Sequence, residues 1–155
     1  MQVPVETPGI AGGVYLRCST DMKLAITVAI GMNLKRAEKI VRMIQGYSVK
    51  LPVTLFVYGD FVETFPSVVK TWATRFDVQM REDGPYPLEQ FSMLKSYWTR
   101  ESIVSAELRL REIGIQPSYY FLPVNNKSPD IIDAAKRRGF RMITPNVMFP
   151  PTGGE

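Results

Sequence analysis

The chain has 155 residues, of which 45% are hydrophobic and 22% are charged. These proportions are typical of a globular protein and exclude a disordered chain, whose apolar content is too low to form a core. Nineteen Lys and Arg residues against fifteen Asp and Glu residues give a net charge of +4, which argues only weakly for nucleic-acid binding because the basic residues are spread along the whole chain.

The single cysteine and the absence of histidine limit the chemistry of the chain. Cys18 has no partner for an internal disulfide and no imidazole to activate it, so we expect a buried structural thiol. No stretch approaches the roughly 20 apolar residues of a membrane span. The first residues lack the basic and apolar regions of a secretory signal. The sequence therefore predicts one domain over residues 1–155, located in the cytoplasm and without membrane contact.

The first half of the chain alternates apolar strands with helices. In chain order it predicts an extended arm at 1–13, strands at 14–18 and 24–30, a helix from 34 to 46, a strand at 52–58, a short helix from 66 and a strand at 76–80. Asn33 is a candidate N-cap, Gly46 a helix stop, and Pro66 fits the first turn of a helix. The strands at 24–30 and 52–58 are apolar at nearly every position, as expected of strands covered on both faces.

The second half continues the same alternation. It predicts a loop at 81–87, a helix from Thr99 to Gly114, a strand at 118–122, a helix from 128 to 136 closed by Gly139, a strand at 140–143 and a Pro- and Gly-rich tail at 146–155. Thr99 is the candidate N-cap of the first of these helices, and the two glycines are candidate stops. Strands that alternate with helices through short loops indicate an α/β fold with a parallel sheet or barrel.

Several motifs resemble those of the polysaccharide deacetylases, the NodB-homology domain of carbohydrate esterases. The matching segments are 27–31 against the Thr-Phe-Asp-Asp-Gly motif, 53–59 followed by Pro66 against the next strand, and then 114–117, 119–121 and 138–141. The resemblance covers residues 23–146. It implies an incomplete (β/α) barrel, and because only five or six of about seven strands can be placed, we expect a barrel truncated at its C-terminal end.

The positions that carry the family's chemistry do not match. Ala29 and Ile30 stand where the family has a catalytic base and a metal ligand, both carboxylates. Arg81 and Pro85 lie in the loop where the family has two histidines, and the segment from Phe121 to Val124 replaces an Arg-Pro-Pro-Tyr run. The late histidine that acts as general acid has no counterpart. Without imidazoles or carboxylates, no ion is held and no water is activated. The resemblance thus implies a metal-free, cofactor-free and catalytically inactive protein with a binding or assembly role.

The vestigial cleft should lie at the C-terminal ends of the strands, where ligand sites of such folds gather. Its expected members are Ala29, Ile30, Tyr58, Arg81, Asp83, Pro85, Phe121 and Val124. We expect Arg81 to occupy or cross the vacated metal position, because a cation can donate hydrogen bonds where an ion once joined the walls. The cleft would then prefer an anionic or carbohydrate ligand.

Two groups of acidic residues permit another interpretation. Glu82, Asp83 and Glu89 cluster near the loop that replaces the histidine motif, so a hydrolase with a relocated, carboxylate-only metal site is an alternative to a solvated acidic turn. Asp60 and Glu63 flank the strand at 52–58. They are expected to support the start of the following helix, where acidic groups favour the dipole.

Basic and aromatic clusters leave two further alternatives. The basic cluster consists of Lys136, Arg137, Arg138 and Arg141, and the aromatic one of Tyr119, Tyr120 and Phe121. The first permits weak nucleic-acid binding, although cations also belong at the C-terminal turn of a helix. The second offers stacking surfaces for a sugar or base, with at least one ring expected in the core because side chains alternate along a strand.

A barrel that lacks its last strands leaves an open edge, which soluble proteins seldom leave bare. The terminal arms, the strand at 14–18 or another subunit are the candidates to cover it. We favour a homodimer or an unknown protein partner on the edge around 140–143 and 147–149, because prolines make the tail a poor ladder partner.

Overall fold

The computed structural model describes residues 10–11, 14–15, 24–47, 50–81, 95–122 and 129–145. The strands are β1 (Ile10–Ala11), β2 (Val14–Tyr15), β3 (Ile26–Ala29), β4 (Val53–Val57), β5 (Asp77–Met80), β6 (Tyr119–Phe121) and β7 (Arg141–Ile143). The helices are α1 (Leu34–Gln45), α2 (Gly59–Thr64), α3 (Pro66–Ala73), α4 (Lys95–Glu112) and α5 (Pro129–Arg137). None of these helices combines the length and the apolarity that a bilayer crossing needs.

The strands form one sheet in the order β1-β2-β7-β6-β5-β4-β3. From β3 to β7 each strand pairs in parallel with the next along the chain, as expected when consecutive βα units lie side by side. These five strands curl into a half-barrel with helices packed against them. The prediction of an α/β fold of the incomplete-barrel type is therefore confirmed.

The core lies between the sheet and the helices. Side chains alternate across a strand, so Leu55, Val57 and Met80 face the helices and are fully buried. Leu110 of α4 and Met142 of β7 are buried in the same cluster. Phe56 and Gln79 occupy the intervening positions and face the opposite, inner side of the half-barrel. Both faces of β4 are thus covered, as its continuous apolar run predicted.

Local sequence signals explain most helix ends. The side-chain oxygen of Asn33 accepts a hydrogen bond from the backbone N–H of Arg36 at 3.0 Å, which satisfies an otherwise unpaired donor of the first turn. Pro66 is the first residue of α3. Gly114 and Gly139 follow α4 and α5 with φ values of +86° and +82°, a conformation that disfavours any residue with a Cβ. The predicted cap and these stops are confirmed.

Two helices differ from the prediction. α4 begins at Lys95, so Thr99 lies within the helix and is not its N-cap. α2 was not predicted at all, and Asp60 and Glu63 belong to it rather than to the entry of α3. Both carboxylates contact Arg109 of α4, at 2.6 Å each. They therefore join α2 to α4 by ion pairs, a role that spacing along the chain does not reveal.

The edge of the sheet at β7 is covered by the chain itself. Val14 and Tyr15 of β2 pair in parallel with Met142 and Ile143 of β7, and β1, within the predicted arm, pairs antiparallel with β2. The expectation that another subunit covers this edge is wrong at the described strands. An N-terminal strand provides the missing main-chain partners instead. Residues 16–18, including Cys18, and 146–155 lie outside the described residues.

Candidate functional site

The carboxyl ends of the parallel strands meet at one edge of the half-barrel. Ala29 ends β3 and Ile30 follows it, Tyr58 follows β4, Arg81 follows β5 and Phe121 ends β6. Parallel strands bring these positions together because their carboxyl ends point the same way. The residues that contact one another there, Ile30, Tyr58, Arg81 and Phe121, are called the Arg81 cluster below.

Arg81 links three strand ends. Its backbone N–H donates to the carbonyl of Val57 at 3.0 Å, which continues the ladder between β4 and β5. Its Nη1 donates to the carbonyl oxygen of Ile30 at 3.3 Å. The Cζ atom lies 3.9 Å from the ring centroid of Tyr58 and 5.3 Å from that of Phe121. Both distances are within the range of cation–π attraction, so one guanidinium crosses the cleft between β3, β4 and β6.

Alternation along β5 determines this orientation. Val78 and Met80 are buried among the helices, which places Gln79 and Arg81 on the inner side of the half-barrel. Tyr58 and Phe121 are also buried, and Phe121 packs on Phe56 with ring centroids 5.4 Å apart. A cation held on buried rings is attracted more strongly than one at an exposed site, by up to about 2 kcal/mol.

Gln79 holds β6 in place beside the cluster. Its Oε1 accepts the backbone N–H groups of Ser118 and Tyr119, both at 2.9 Å, and its Nε2 donates to Asp77 at 2.8 Å. The ladder between β5 and β6 has one partner pair among the described residues, Met80 with Tyr120. The amide side chain therefore replaces ladder bonds and helps to position Phe121. Sequence reasoning missed this role, although a buried polar residue in an alternating strand is a usable signal.

The described part of the site does not fit a transition metal. Ala29 and Ile30 offer no side-chain ligand, and the nearby Arg81 guanidinium is a cation that would repel an ion. No group of three or more His, Cys, Asp or Glu residues within the described ranges is arranged to hold a metal, and the sequence has no histidine. Three expected members of the cleft lie outside the described residues: Asp83, Pro85 and Val124. Glu82 and Glu89 also lie outside them, so the carboxylate-only metal site stays an untested alternative.

The basic and aromatic clusters have mainly structural contacts. Arg138 donates to the buried Glu107 of α4 through Nε at 3.0 Å and Nη2 at 2.6 Å, and Arg137 pairs with Asp133 one turn earlier. Tyr120 is buried in the core, as alternation requires, whereas Tyr119 is half-buried. Of the three aromatic residues, Phe121 is the one that joins the Arg81 cluster.

No protein-family model matches the sequence, and no curated protein matches it either. Similarity appears when the fold is compared with solved structures. A CE4 family pseudoenzyme from Bacillus anthracis superposes with a TM-score of 0.69 at 13% identity, over 87% of this chain and 47% of that one. A mutant of that pseudoenzyme with restored enzymatic activity gives 0.67 at 14% identity, over 86% of this chain and 48% of the mutant.

An enzyme of the same class gives a similar result. The family 4 carbohydrate esterase from Streptomyces lividans, in complex with acetate, superposes with a TM-score of 0.62 at 14% identity, over 77% of this chain and 60% of that one. The chain thus spans about half the length of the structures that it resembles. The chain therefore has a polysaccharide deacetylase-like fold, that of the family 4 carbohydrate esterases.

Proposed function

We propose that this protein is a catalytically inactive deacetylase-like protein that binds a carbohydrate bearing an anionic group in the cleft around Arg81. The position of the Arg81 guanidinium, at the strand ends and between the rings of Tyr58 and Phe121, carries the proposal. A fixed positive charge favours an anion. The buried rings of Tyr58 and Phe121 hold the guanidinium in position at the strand ends.

The proposed inactivity rests on the identity of the residues at the strand ends. Hydrolysis of an acetamide by a metal-dependent route needs an ion, a water bound to it and a base to take the proton. Ala29 and Ile30 provide no base. The Arg81 guanidinium stays protonated at all ordinary pH values and cannot act as one. Loss of both carboxylates and both histidines removes the site as a unit, which neighbouring residues do not easily replace.

The pseudoenzyme from Bacillus anthracis supports the proposal as a parallel case. That protein has the fold without being described as an active enzyme, so the scaffold can persist once catalysis is lost. Fold alone does not identify a ligand, so the anionic group is proposed from the charge of Arg81 and the sugar from the likeness to a carbohydrate esterase. The alternatives are the relocated carboxylate site and weak nucleic-acid binding.

Binding is tested by titrating the protein with two oligosaccharides of equal length, neutral chitooligosaccharide and oligogalacturonate. We expect the anionic oligosaccharide to bind at least about 10-fold more tightly, since charge-assisted hydrogen bonds are roughly twice as strong as neutral ones. Arg81→Gln should remove this preference. Arg81→Lys should retain part of it, because it keeps the charge but loses the planar fork. Equal affinities for the two oligosaccharides, or an unchanged preference in Arg81→Gln, would contradict the proposal.

A matched control is Arg75→Gln, which removes an exposed arginine at the opposite end of β5. It changes the net charge equally and should leave binding unaltered. Acetate release from acetylated chitooligosaccharide should be absent in the unmodified protein. Turnover that disappears in Asp83→Asn would instead support the carboxylate-only hydrolase, and a salt-dependent mobility shift with DNA would support the nucleic-acid alternative.

A further inference from the structure

The net charge of the chain is concentrated on one helix. α1 carries four basic residues, Lys35, Arg36, Lys39 and Arg42, and one acidic residue, Glu38. Four positive charges and one negative charge give this helix +3, which leaves +1 of the total of +4 for the rest of the chain. Basic residues also occur elsewhere in the sequence, but acidic residues nearly balance them. The positive potential of the protein is therefore strongest at α1.

Ion pairs do not neutralise this helix. Within the described residues, Lys35, Arg36 and Lys39 have no ion-pair partner, and Arg42 has an exposed contact of 3.7 Å with Glu38. By contrast, four arginines in or next to α4 and α5 lie 2.6–2.7 Å from carboxylate oxygens. The cations of α4 and α5 thus serve the fold, whereas those of α1 are available to a partner.

Two of the α1 cations oppose helix formation. Lys35 and Arg36 lie in the first turn, which contains no acidic residue. The helix dipole places partial positive charge at this end, so cations there are unfavourable. Lys35 and Lys39 are also one turn apart, and like charges at that spacing repel. These side chains do not stabilise α1, which indicates a use outside the fold.

The cations share the face of α1 that points away from the molecule. Ala37 and Val41 are the buried residues of the helix and mark its inner face. Lys35, Lys39 and Arg42, spaced by four and three residues, lie along the opposite face and are exposed. At about 1.5 Å per residue, this row spans roughly 10 Å along the helix axis.

An apolar side chain interrupts this cationic face. Met43 is 58% exposed and lines a shallow pocket together with Lys39 and Arg42. The stems of lysine and arginine side chains are also apolar, so this part of the surface combines positive charge with aliphatic groups. The combination fits a partner that offers anionic groups with hydrocarbon directly behind them.

We infer that the outer face of α1 binds the surface of a bilayer that contains anionic phospholipids. Lipid phosphates would contact Lys35, Lys39 and Arg42, and Met43 would reach the hydrocarbon below the headgroups. Each Lys or Arg at an anionic leaflet strengthens binding roughly fivefold, so a charge of +3 gives roughly 100-fold enrichment and reversible binding. This contact with a membrane surface goes beyond the sequence expectation of no membrane contact, and it is independent of the Arg81 cleft.

Two other occupants fit this face less well. A nucleic acid would satisfy the cations, but its phosphate backbone offers no hydrocarbon to Met43. A second copy of the chain would bring two α1 helices of charge +3 together, and like charges that face each other across an interface are unfavourable. An anionic bilayer satisfies both the cations and the exposed methionine.

The test is sedimentation of the protein with vesicles of phosphatidylglycerol and phosphatidylcholine in equal parts. We expect about half of the protein to sediment at roughly 10 mM lipid and low salt, and none with vesicles of phosphatidylcholine alone. Salt at about 1 M should release the protein, because it shortens the screening length to about 3 Å. Absence of binding to the anionic vesicles, equal binding to neutral ones, or tighter binding of oligothymidine or polyglutamate at equal charge concentration would overturn the inference.

Variants separate this face from general attraction by a cationic protein. Lys35→Gln/Lys39→Gln should weaken vesicle binding by at least about 10-fold, because two charges are lost. The matched control Lys70→Gln/Arg75→Gln removes two charges at other exposed positions and should change binding by less than about threefold. The thermal midpoint of the α1 variant should not fall, since Lys35 opposes the dipole. Equal loss of binding in the two variants would overturn the assignment to α1.

A third variant tests the contact with hydrocarbon. Met43→Gln keeps the charge and the approximate length of the side chain, and we expect it to weaken vesicle binding by about threefold or more. Its affinity for polyglutamate, which offers no hydrocarbon layer, should stay unchanged. Unaltered binding of Met43→Gln to the vesicles would show that charge alone acts, and would overturn the choice of a bilayer over other polyanions.

Discussion

Replacing Arg138 with methionine removes the main cation that pairs with a buried carboxylate. Glu107 of α4 has a side chain that is 3% exposed. Its Oε2 accepts from Nε and Nη2 of Arg138 at 3.0 and 2.6 Å, and its Oε1 lies 2.6 Å from Nη2 of Arg111. Arg138 follows α5, so this pair joins α5 to α4.

The expected loss in the free energy of unfolding follows from burial. Breaking a buried ion pair by removing one partner typically costs about 3–5 kcal/mol, because a desolvated charge is left behind. Here Arg138 is 40% exposed, and Arg111 still contacts Glu107 in the variant. Both facts reduce the loss, and we expect about 2 kcal/mol for Arg138→Met. Methionine keeps most of the apolar length of the side chain, so the change isolates the charge.

The neighbouring arginine provides the control. Arg137 pairs with Asp133 at 2.7 Å, but both side chains are more than half exposed, so Arg137→Met should cost less than about 0.5 kcal/mol. Urea denaturation of the two variants measures the difference, which corresponds to a shift of about 1 M in midpoint. Equal midpoints for Arg138→Met and Arg137→Met would refute this reasoning. They would indicate that the basic cluster does not stabilise the fold and would favour a role for it at the surface.

Substitutions at three further positions test local structure. Gln79→Leu removes the acceptor for two backbone N–H groups and should cost about 2–3 kcal/mol, with faster amide exchange at Tyr119, whereas Gln79→Glu keeps an acceptor and should cost less. Gly114→Ala places a Cβ on a residue with φ of +86° and should lower the thermal midpoint through a loss of about 1–2 kcal/mol; an unchanged midpoint would show that the turn relaxes. Asn33→Ala removes the cap of α1 and should cost about 1 kcal/mol in urea denaturation, while Asn33→Ser should retain most of it.

The sequence predicted the strands from β3 to β7 to within about two residues, because most are apolar runs with Gly or Pro nearby; β5, with Asp77 and Gln79, is the exception. It failed where no local signal exists. α2 begins at Gly59, one residue after the end of β4, and a glycine there is equally typical of a turn. The start of α4 at Lys95 could not be predicted from a cap residue, because Thr99 is the stronger local candidate for an N-cap. Contacts between distant elements, such as Arg109 with Asp60, depend on packing that the residue pattern alone does not contain.

The position of the Arg81 cluster was accessible from the sequence for a specific reason. Parallel strands place their carboxyl ends together, so Ile30, Tyr58 and Arg81 could be assigned to one edge from the sequence alone. The stacking of the guanidinium on Tyr58 was not accessible, because it depends on the side-chain torsions. The strand at 14–18 was predicted and was one candidate to cover β7, but a residue pattern does not say which strands pair, so it could not decide between this strand and another subunit.

The pairing of β2 with β7 joins segments that lie far apart along the chain. Most other ladders join neighbouring βα units, which have much shorter loops to close and therefore a smaller entropy loss on pairing. Contacts of high sequence separation slow folding. The parallel pairs from β3 to β7 should therefore assemble first, and β2 should pair with β7 last. Although β2 is synthesised before β7, the edge of β7 should stay open until this last ladder closes.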